Sequence, residues 1–263
     1  MIKALFFDID GTLVPYGSGR IPQDTLNALA EARSRGVKTF ISTGRHLSWI
    51  NNLGDAKFDG FVTVNGGMCI DSDRKSVISK KCINPDDIDR LCGFSRRHPG
   101  IPIVVVPAEG DIFISSIDSD VQLVSHELHI PPIEVKSVDH ARGRDIVQLM
   151  AFGSEKIRTE SGLFRDVLLH STPTSWNPYF CDIIPSDSDK SLGLQTMASH
   201  FGFDMSETMA FGDGNNDIGM IRAAATGVAM GNASDEVKKT ADYVTTADSD
   251  NGISNALRHF GII

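Results

Sequence analysis

At 263 residues, with 41% apolar and 22% charged side chains, the chain can bury a large core, arranged as one or two domains. A net charge of −9 argues against nucleic acid or an anionic membrane surface as general partners, and no run nears the roughly 20 apolar residues of a membrane span. The four cysteines, Cys69, Cys82, Cys92 and Cys181, form no CxxC pair, and no signal segment is evident, so a reduced, cytoplasmic protein is expected.

The first element is a strand, Ala4 to Phe7, apolar throughout and therefore expected to be buried on both faces of a parallel sheet. It ends in two carboxylates, Asp8 and Asp10, before Gly11 and Thr12 turn the chain. Ile21-Pro22-Gln23-Asp24-Thr25 opens a helix with Leu26, Leu29 and Ala30 as its apolar face and Gly36 as its end. Val37–Ile41 is a second strand, closing in Ser42-Thr43-Gly44-Arg45; His46–Leu53 reads as a helix. Gly60–Val64 is a third strand, closed by Asn65-Gly66-Gly67. Strand–helix alternation of this kind implies a doubly wound, Rossmann-like parallel sheet.

Met68–Ile83 reads as a hairpin turning at Asp71-Ser72-Asp73, and at Asn84-Pro85 the pattern changes. Helices are expected over 86–98, 118–128 and 154–162, and strands over 102–106, 112–116, 146–152 and 180–184. Short strands mixed with helices indicate an α+β domain with a largely antiparallel sheet. Alternation resumes with a helix from Lys190 to Phe201, then a strand, Thr208–Phe211, running straight into Gly212-Asp213-Gly214-Asn215-Asn216-Asp217. A helix over 218–225, strands at 227–230 and 243–244, and helices over 234–240 and 252–260 complete the chain. The expected organisation is a core of residues 1–83 and 186–263 with residues 84–185 inserted, hinged where prolines meet polar neighbours near Asn84-Pro85 and Pro185-Ser186.

In such a sheet, ligands bind at the carboxyl ends of the strands. That edge would gather Asp8, Asp10, Ser42, Thr43, Asn65, Asp213 and Asp217, with Lys190 starting a helix nearby. Buried acids are costly without a cation. Acids clustered against a lysine suit Mg²⁺ plus a phosphoryl group: the ion offsets the acids, while lysine, hydroxyl and backbone N–H groups hold phosphate oxygens. Each residue has a duller reading. Thr43 or Asp217 would cap the following helix, Arg45 would form a surface ion pair, and Asn65 would serve only as a turn residue. The eight histidines show no ligand spacing.

Asp8-Ile9-Asp10-Gly11-Thr12-Leu13, Ser42-Thr43-Gly44-Arg45, Lys190 and Gly212-Asp213-Gly214-Asn215-Asn216-Asp217 match in order the four motifs of the haloacid dehalogenase superfamily. Asn65-Gly66-Gly67 and the long insertion resemble its Cof-type sugar-phosphatase branch, with an α+β cap. The resemblance implies Asp8 as nucleophile, forming an aspartyl-phosphate. It implies Asp10 as general acid and then base, with a raised pKa, and Asp8, the Asp10 carbonyl and Asp213 as Mg²⁺ ligands. Thr43, the Gly44 amide, Lys190 and Asn216 would hold the phosphoryl oxygens, and Asp217 would orient ligands or Lys190. The implied partner is a small phosphorylated metabolite, a hexose or pentose phosphate first. Arg45 and Asn65, and on the cap Trp176 and Asp182 with Asp118 and Arg144, are candidate substrate contacts. A phosphomutase and a non-catalytic sugar-phosphate sensor are the alternatives. A dehalogenase would not need Asp10, a phosphonatase would use a Schiff-base lysine, and a transport ATPase would carry membrane spans.

Overall fold

The structure is a computed structural model that describes residues 1–153, 164 and 167–263, without the side chains of Ser175 and Trp176. The helix expected over 154–162 lies outside the described residues. The chain divides into two compact units, residues 1–79 with 189–263, and residues 80–188. Among the described residues no helix is long and apolar enough to cross a membrane.

The first unit is built on an eight-stranded sheet. Its strands in chain order are β1 (Ala4–Phe7), β2 (Lys38–Ser42), β3 (Gly60–Thr63), β4 (Met68–Asp71), β5 (Val77–Lys80), β12 (Thr208–Gly212), β13 (Thr226–Ala229) and β14 (Tyr243–Val244). Their order across the sheet is β14-β13-β12-β1-β2-β3-β4-β5, parallel from β14 to β3, with β4 antiparallel to β3. β1 is central and fully buried, which its unbroken apolar run requires. Its side chains alternate between faces: Phe6 stacks on Phe40 and Phe7 on Phe211, each at 4.8 Å between ring centroids. Ala4, Phe6 and Phe40 share a core with Leu194 and Met197 of α4 (Lys190–Phe201) and Met220 of α5 (Ile218–Ala223). Beyond these, α6 (Asp235–Thr240) follows β13. α1 (Gln23–Ser34) packs with α7 (Gly252–His259).

Two expectations here are corrected. α1 buries Thr25, Ala28, Leu29 and Ala32, whereas Leu26 is only half-buried and Ala30 is exposed. The apolar arc of this helix is wide, with Ala28 and Ala32 on one side of Leu29 and Leu26 and Ala30 on the other, and the buried side is the one that carries Thr25 and the two alanines. The helix expected over 46–53 is a single 3₁₀ turn, Leu47–Trp49. Arginines take the carbonyls a helix would need. Arg45 Nη1 donates to the Trp49 oxygen at 3.1 Å, and Arg74 Nη2 to those of Leu47 and Ile50 at 3.2 and 3.0 Å.

Among its described residues the second unit holds six strands, β6 (Ile103–Pro107), β7 (Phe113–Ile114), β8 (Glu134–Val135), β9 (Ile146–Phe152), β10 (Ser171–Asn177) and β11 (Phe180–Pro185), in the order β10-β11-β9-β6-β7-β8. Among these strands the pairings are antiparallel except β7 with β8, which is parallel. α2 (Pro85–Arg97), capped by Asn84 and started by Pro85, buries Ile88, Leu91, Cys92 and Phe94 against Ile103, Val105, Leu149, Ala151, Cys181 and Ile183. α3 is Ser119–Glu127. The single strand expected near 180–184 is a hairpin with β10. Thr172-Pro173-Thr174 does not read as a strand from composition, but β10 lies at a sheet edge, where proline is tolerated. The strand expected over 112–116 shortens to two residues.

Candidate active site

Four parallel strands, β12, β1, β2 and β3, lie side by side, so their carboxyl ends form one edge. The Asp8 and Asp213 segments leave adjacent strands there, because β1 and β12 pair in register up to Phe7 and Phe211. Lys190 opens α4, which Asp189 caps by accepting the Leu192 N–H.

The lysine is the pivot. Its side chain is fully buried, and Nζ donates to Asp8 Oδ1 and to Asp217 Oδ1, both at 2.6 Å. The other Asp217 oxygen accepts the backbone N–H groups of Asp213 and Gly214, each at 2.9 Å. Asp217 therefore does not cap the following helix; it joins the lysine to the loop that carries Asp213. Thr12 Oγ1 donates to Asp213 Oδ1 at 3.0 Å. Gly11 is required where it is: its φ is +77°, and a Cβ there would lie 2.3 Å from Asp213 Oδ2.

Carboxylate oxygens of Asp8, Asp213 and Asp217 lie within 4.8 Å of one another. Against one ammonium, three ionised carboxylates leave an excess of two negative charges in a buried space. Desolvation, outweighing Lys190, pushes Asp8 up to about 7. Desolvation and then repulsion from Asp8 and Asp217 push Asp213 up to about 9. Burial alone would discharge Lys190, but Asp217 and Asp8 hold it protonated, with its pKa raised. Such a site takes up either protons or a dication. An all-oxygen set of this kind fits a hard ion such as Mg²⁺.

Asp10 is not in this cluster. Arg45 grips both its oxygens as a fork, Nε to Oδ2 and Nη2 to Oδ1, each at 2.7 Å. Arg45 is itself buried, so it is not a surface ion pair. Thr43 Oγ1 accepts the Arg45 N–H at 3.1 Å, a bond that leaves the hydroxyl proton uncommitted, and Gly44 lies in the bend between them. Asn216 Nδ2 donates to Asn65 Oδ1 at 2.9 Å. Of the candidates on the second unit, Asp182 is buried on β11 and accepts from Gln148 Nε2 at 2.6 Å. Asp118 caps α3, and Arg144 donates to the Glu109 carbonyl and lies over the Phe113 ring. Trp176 belongs to β10, and its side chain lies outside the described residues.

Three neighbours of the site were not anticipated. Thr12 holds Asp213. Tyr16, 60% exposed, places its ring edge against Gly11. Asn232 donates to the Gly11 carbonyl at 2.8 Å and accepts the Asp248 N–H. A usable signal existed for Thr12, which stands in the Asp8–Leu13 motif, and for Asn232, which follows β13, whose end reaches the same sheet edge.

The family model for haloacid dehalogenase-like hydrolases matches residues 5–257. YkrA of Bacillus subtilis (strain 168), named as a phosphatase, is 30% identical over 271 residues, covering 99% of this chain and 98% of that one. The 5-amino-6-(5-phospho-D-ribitylamino)uracil phosphatase YcsE of the same strain is 28% identical, covering 98% and 96%. Among solved structures, the subclass IIB sugar phosphatase BT4131 superposes with a TM-score of 0.91 at 38% identity, covering 99% of this chain and 100% of that one. The phosphatase BT1666 from Bacteroides thetaiotaomicron superposes at 0.88 and 32%, covering 100% and 96%.

Proposed function

The chain belongs to the haloacid dehalogenase-like hydrolases and is a phosphatase of that family; from this premise we propose that it is a Mg²⁺-dependent phosphomonoester hydrolase of small sugar phosphates, working through an aspartyl-phosphate. The observation that carries the reading is the buried Lys190 bridging Asp8 and Asp217, with the Asp213 carboxylate beside them. Support for the substrate class comes from the sugar phosphatase BT4131 and the ribityl-phosphate phosphatase YcsE.

Asp8 is the nucleophile. One of its oxygens forms a bond to phosphorus as the P–O bond to the sugar breaks, and Asp10 gives its proton to the departing alkoxide. Water then attacks phosphorus, Asp10 takes a proton from it, and the bond from Asp8 to phosphorus breaks, releasing phosphate. Lys190, Thr43, the Gly44 amide and Asn216 hold the non-bridging oxygens, and Asp217 fixes Lys190. Asp8, Asp213 and the Asp10 carbonyl would hold Mg²⁺, which would offset phosphoryl charge when bound. Arg45 sets the orientation of Asp10, which must exchange one oxygen out of the fork to reach the leaving group. Residues 84–185 act as a cap that selects the leaving group.

Phosphate release from a panel of hexose and pentose phosphates, with Mg²⁺ and with EDTA, tests the assignment; turnover unaffected by EDTA would contradict the metal. Asp10→Asn is expected to lower kcat on sugar phosphates about 10²–10⁴-fold. The loss on p-nitrophenyl phosphate should be smaller, because a phenolate departs without a proton. Because hydrolysis of the aspartyl-phosphate also uses Asp10 and is common to both substrates, the comparison is made on kcat/KM, and equal losses in kcat/KM would remove the acid role.

A stability measurement tests the metal separately. Without the ion, the folded protein keeps protons on Asp8 and Asp213 that the unfolded chain releases near pH 4. These groups favour the fold fully below about pH 4, and the contribution is lost as pH rises through about 7 and 9. A dication replaces those protons. The rise in Tm on adding Mg²⁺ is therefore expected to be larger near pH 9 than near pH 6 by differential scanning fluorimetry. An equal rise at both would contradict the acid cluster as the ion's site.

A further inference from the structure

The turn after β3 has three consecutive residues in the left-handed region: Val64 at φ 47°, Asn65 at 53° and Gly66 at 89°. Glycine adopts this freely and asparagine tolerates it, but a β-branched residue there is an outlier that surrounding structure must enforce. The enforcing contacts come from three separate parts of the chain. The Val64 N–H donates to the Arg45 carbonyl at 3.1 Å, and the Asn65 N–H to the Thr43 carbonyl at 3.0 Å. Gly66 lies so close to α4 that a Cβ would sit 1.9 Å from the Asp189 carbonyl oxygen, next to Lys190. The Asn65 side-chain carbonyl accepts from Asn216 Nδ2 at 2.9 Å, across 151 residues. Asn65 is 1% exposed.

We infer that Asn65 is a positioning residue whose side-chain carbonyl orients the Asn216 amide toward the phosphoryl group, while its left-handed backbone holds the Thr43 segment against the start of α4. The inference rests on the proposal that Asn216 holds a phosphoryl oxygen. A free asparagine amide presents its oxygen or its nitrogen equally well. The bond to Asn65 settles which end faces which way: one Nδ2 hydrogen goes to Asn65 and the other remains for an anion. A mere turn residue would need the left-handed φ and no side chain.

Asn65→Gly separates the two roles, because glycine keeps the turn and removes the carbonyl. The measurements are the Kd for inorganic phosphate with Mg²⁺, by calorimetry, and the Tm. Asn65→Gly is expected to weaken phosphate binding about tenfold, the scale of one hydrogen bond to a charged group, with Tm within a few degrees of wild type. In an Asn216→Ala background it should add nothing further. Asn65→Asp, which keeps both the turn and an acceptor, guards against a poorly folded glycine variant. Asn216→Ala should cost a larger factor in the Asn65→Asp background than in the Asn65→Gly background. Wild-type affinity in Asn65→Gly, or equal costs in all backgrounds, overturns the positioning role alone. Wild-type affinity in Asn216→Ala removes Asn216 from the phosphoryl site, and this inference with it.

Discussion

Asp8→Asn is expected to reduce turnover at least about 10⁴-fold while leaving the fold intact and, in metal-free buffer near pH 9, raising Tm. The two effects run in opposite directions for one reason. An amide cannot attack phosphorus to give a stable intermediate, so the two-step route closes. Yet near pH 9, where Asp8 and Asp213 give up their protons, the acid cluster is overcharged, and Asp8 is second only to desolvation in pushing Asp213 up. Replacing one carboxylate by a neutral group of the same shape relieves that repulsion. Lys190 keeps Asp217 as its ion partner, and the new amide oxygen can still accept its hydrogen bond. Residual phosphate release and scanning fluorimetry on the same preparation check both halves. Turnover near wild type would refute Asp8 as the nucleophile. A lower Tm in metal-free buffer near pH 9 would show instead that Asp8 stabilises the site on balance, through Lys190.

The acids were legible in the sequence because β1 and β12 are apolar runs that stop at carboxylates, and alternation puts such ends on one edge. Hydrogen-bond direction was not legible. Arg45 stands in a motif with Thr43, but nothing in residue order says that it folds back onto Asp10 and captures the Trp49 carbonyl, which also ended the helix expected there. Asp217 precedes a helix, so capping was a sound reading until its oxygens proved to be divided between Lys190 and the Asp213–Gly214 backbone. β10 was missed because Thr-Pro-Thr has the composition of a loop, and only its pairing with β11 makes it a strand. The face of α1 differs from the expected one because its apolar arc is wide: Ala28 and Ala32 lie on one side of Leu29 and Leu26 and Ala30 on the other, and the sheet takes the alanine side with Thr25. In each case the deciding partner lies far along the chain or depends on which side of an element a neighbour packs.

Lys190→Met should be the most disruptive single change in the first unit. Methionine matches the length and shape of the stem, so the loss is that of an ammonium with two carboxylates 2.6 Å away. Breaking a buried ion pair from one side leaves charge without compensation, typically costing about 3–5 kcal/mol, or roughly 10 °C in a domain of this size. The site has one way to limit the damage, which is for its acids to keep protons. Lys190 lowers the pKa of both Asp8 and Asp213, so removing it raises both further. The variant then holds protons over a wider range than wild type, and its stability falls more steeply as pH rises. Its deficit in Tm is thus expected to be small near pH 5 and large near pH 8, with kcat/KM down about 10²–10³-fold at either. Melting curves at the two pH values decide the point. A deficit independent of pH would mean that the lysine acts through packing alone, and a variant with unchanged stability and activity would remove it from the centre of the site.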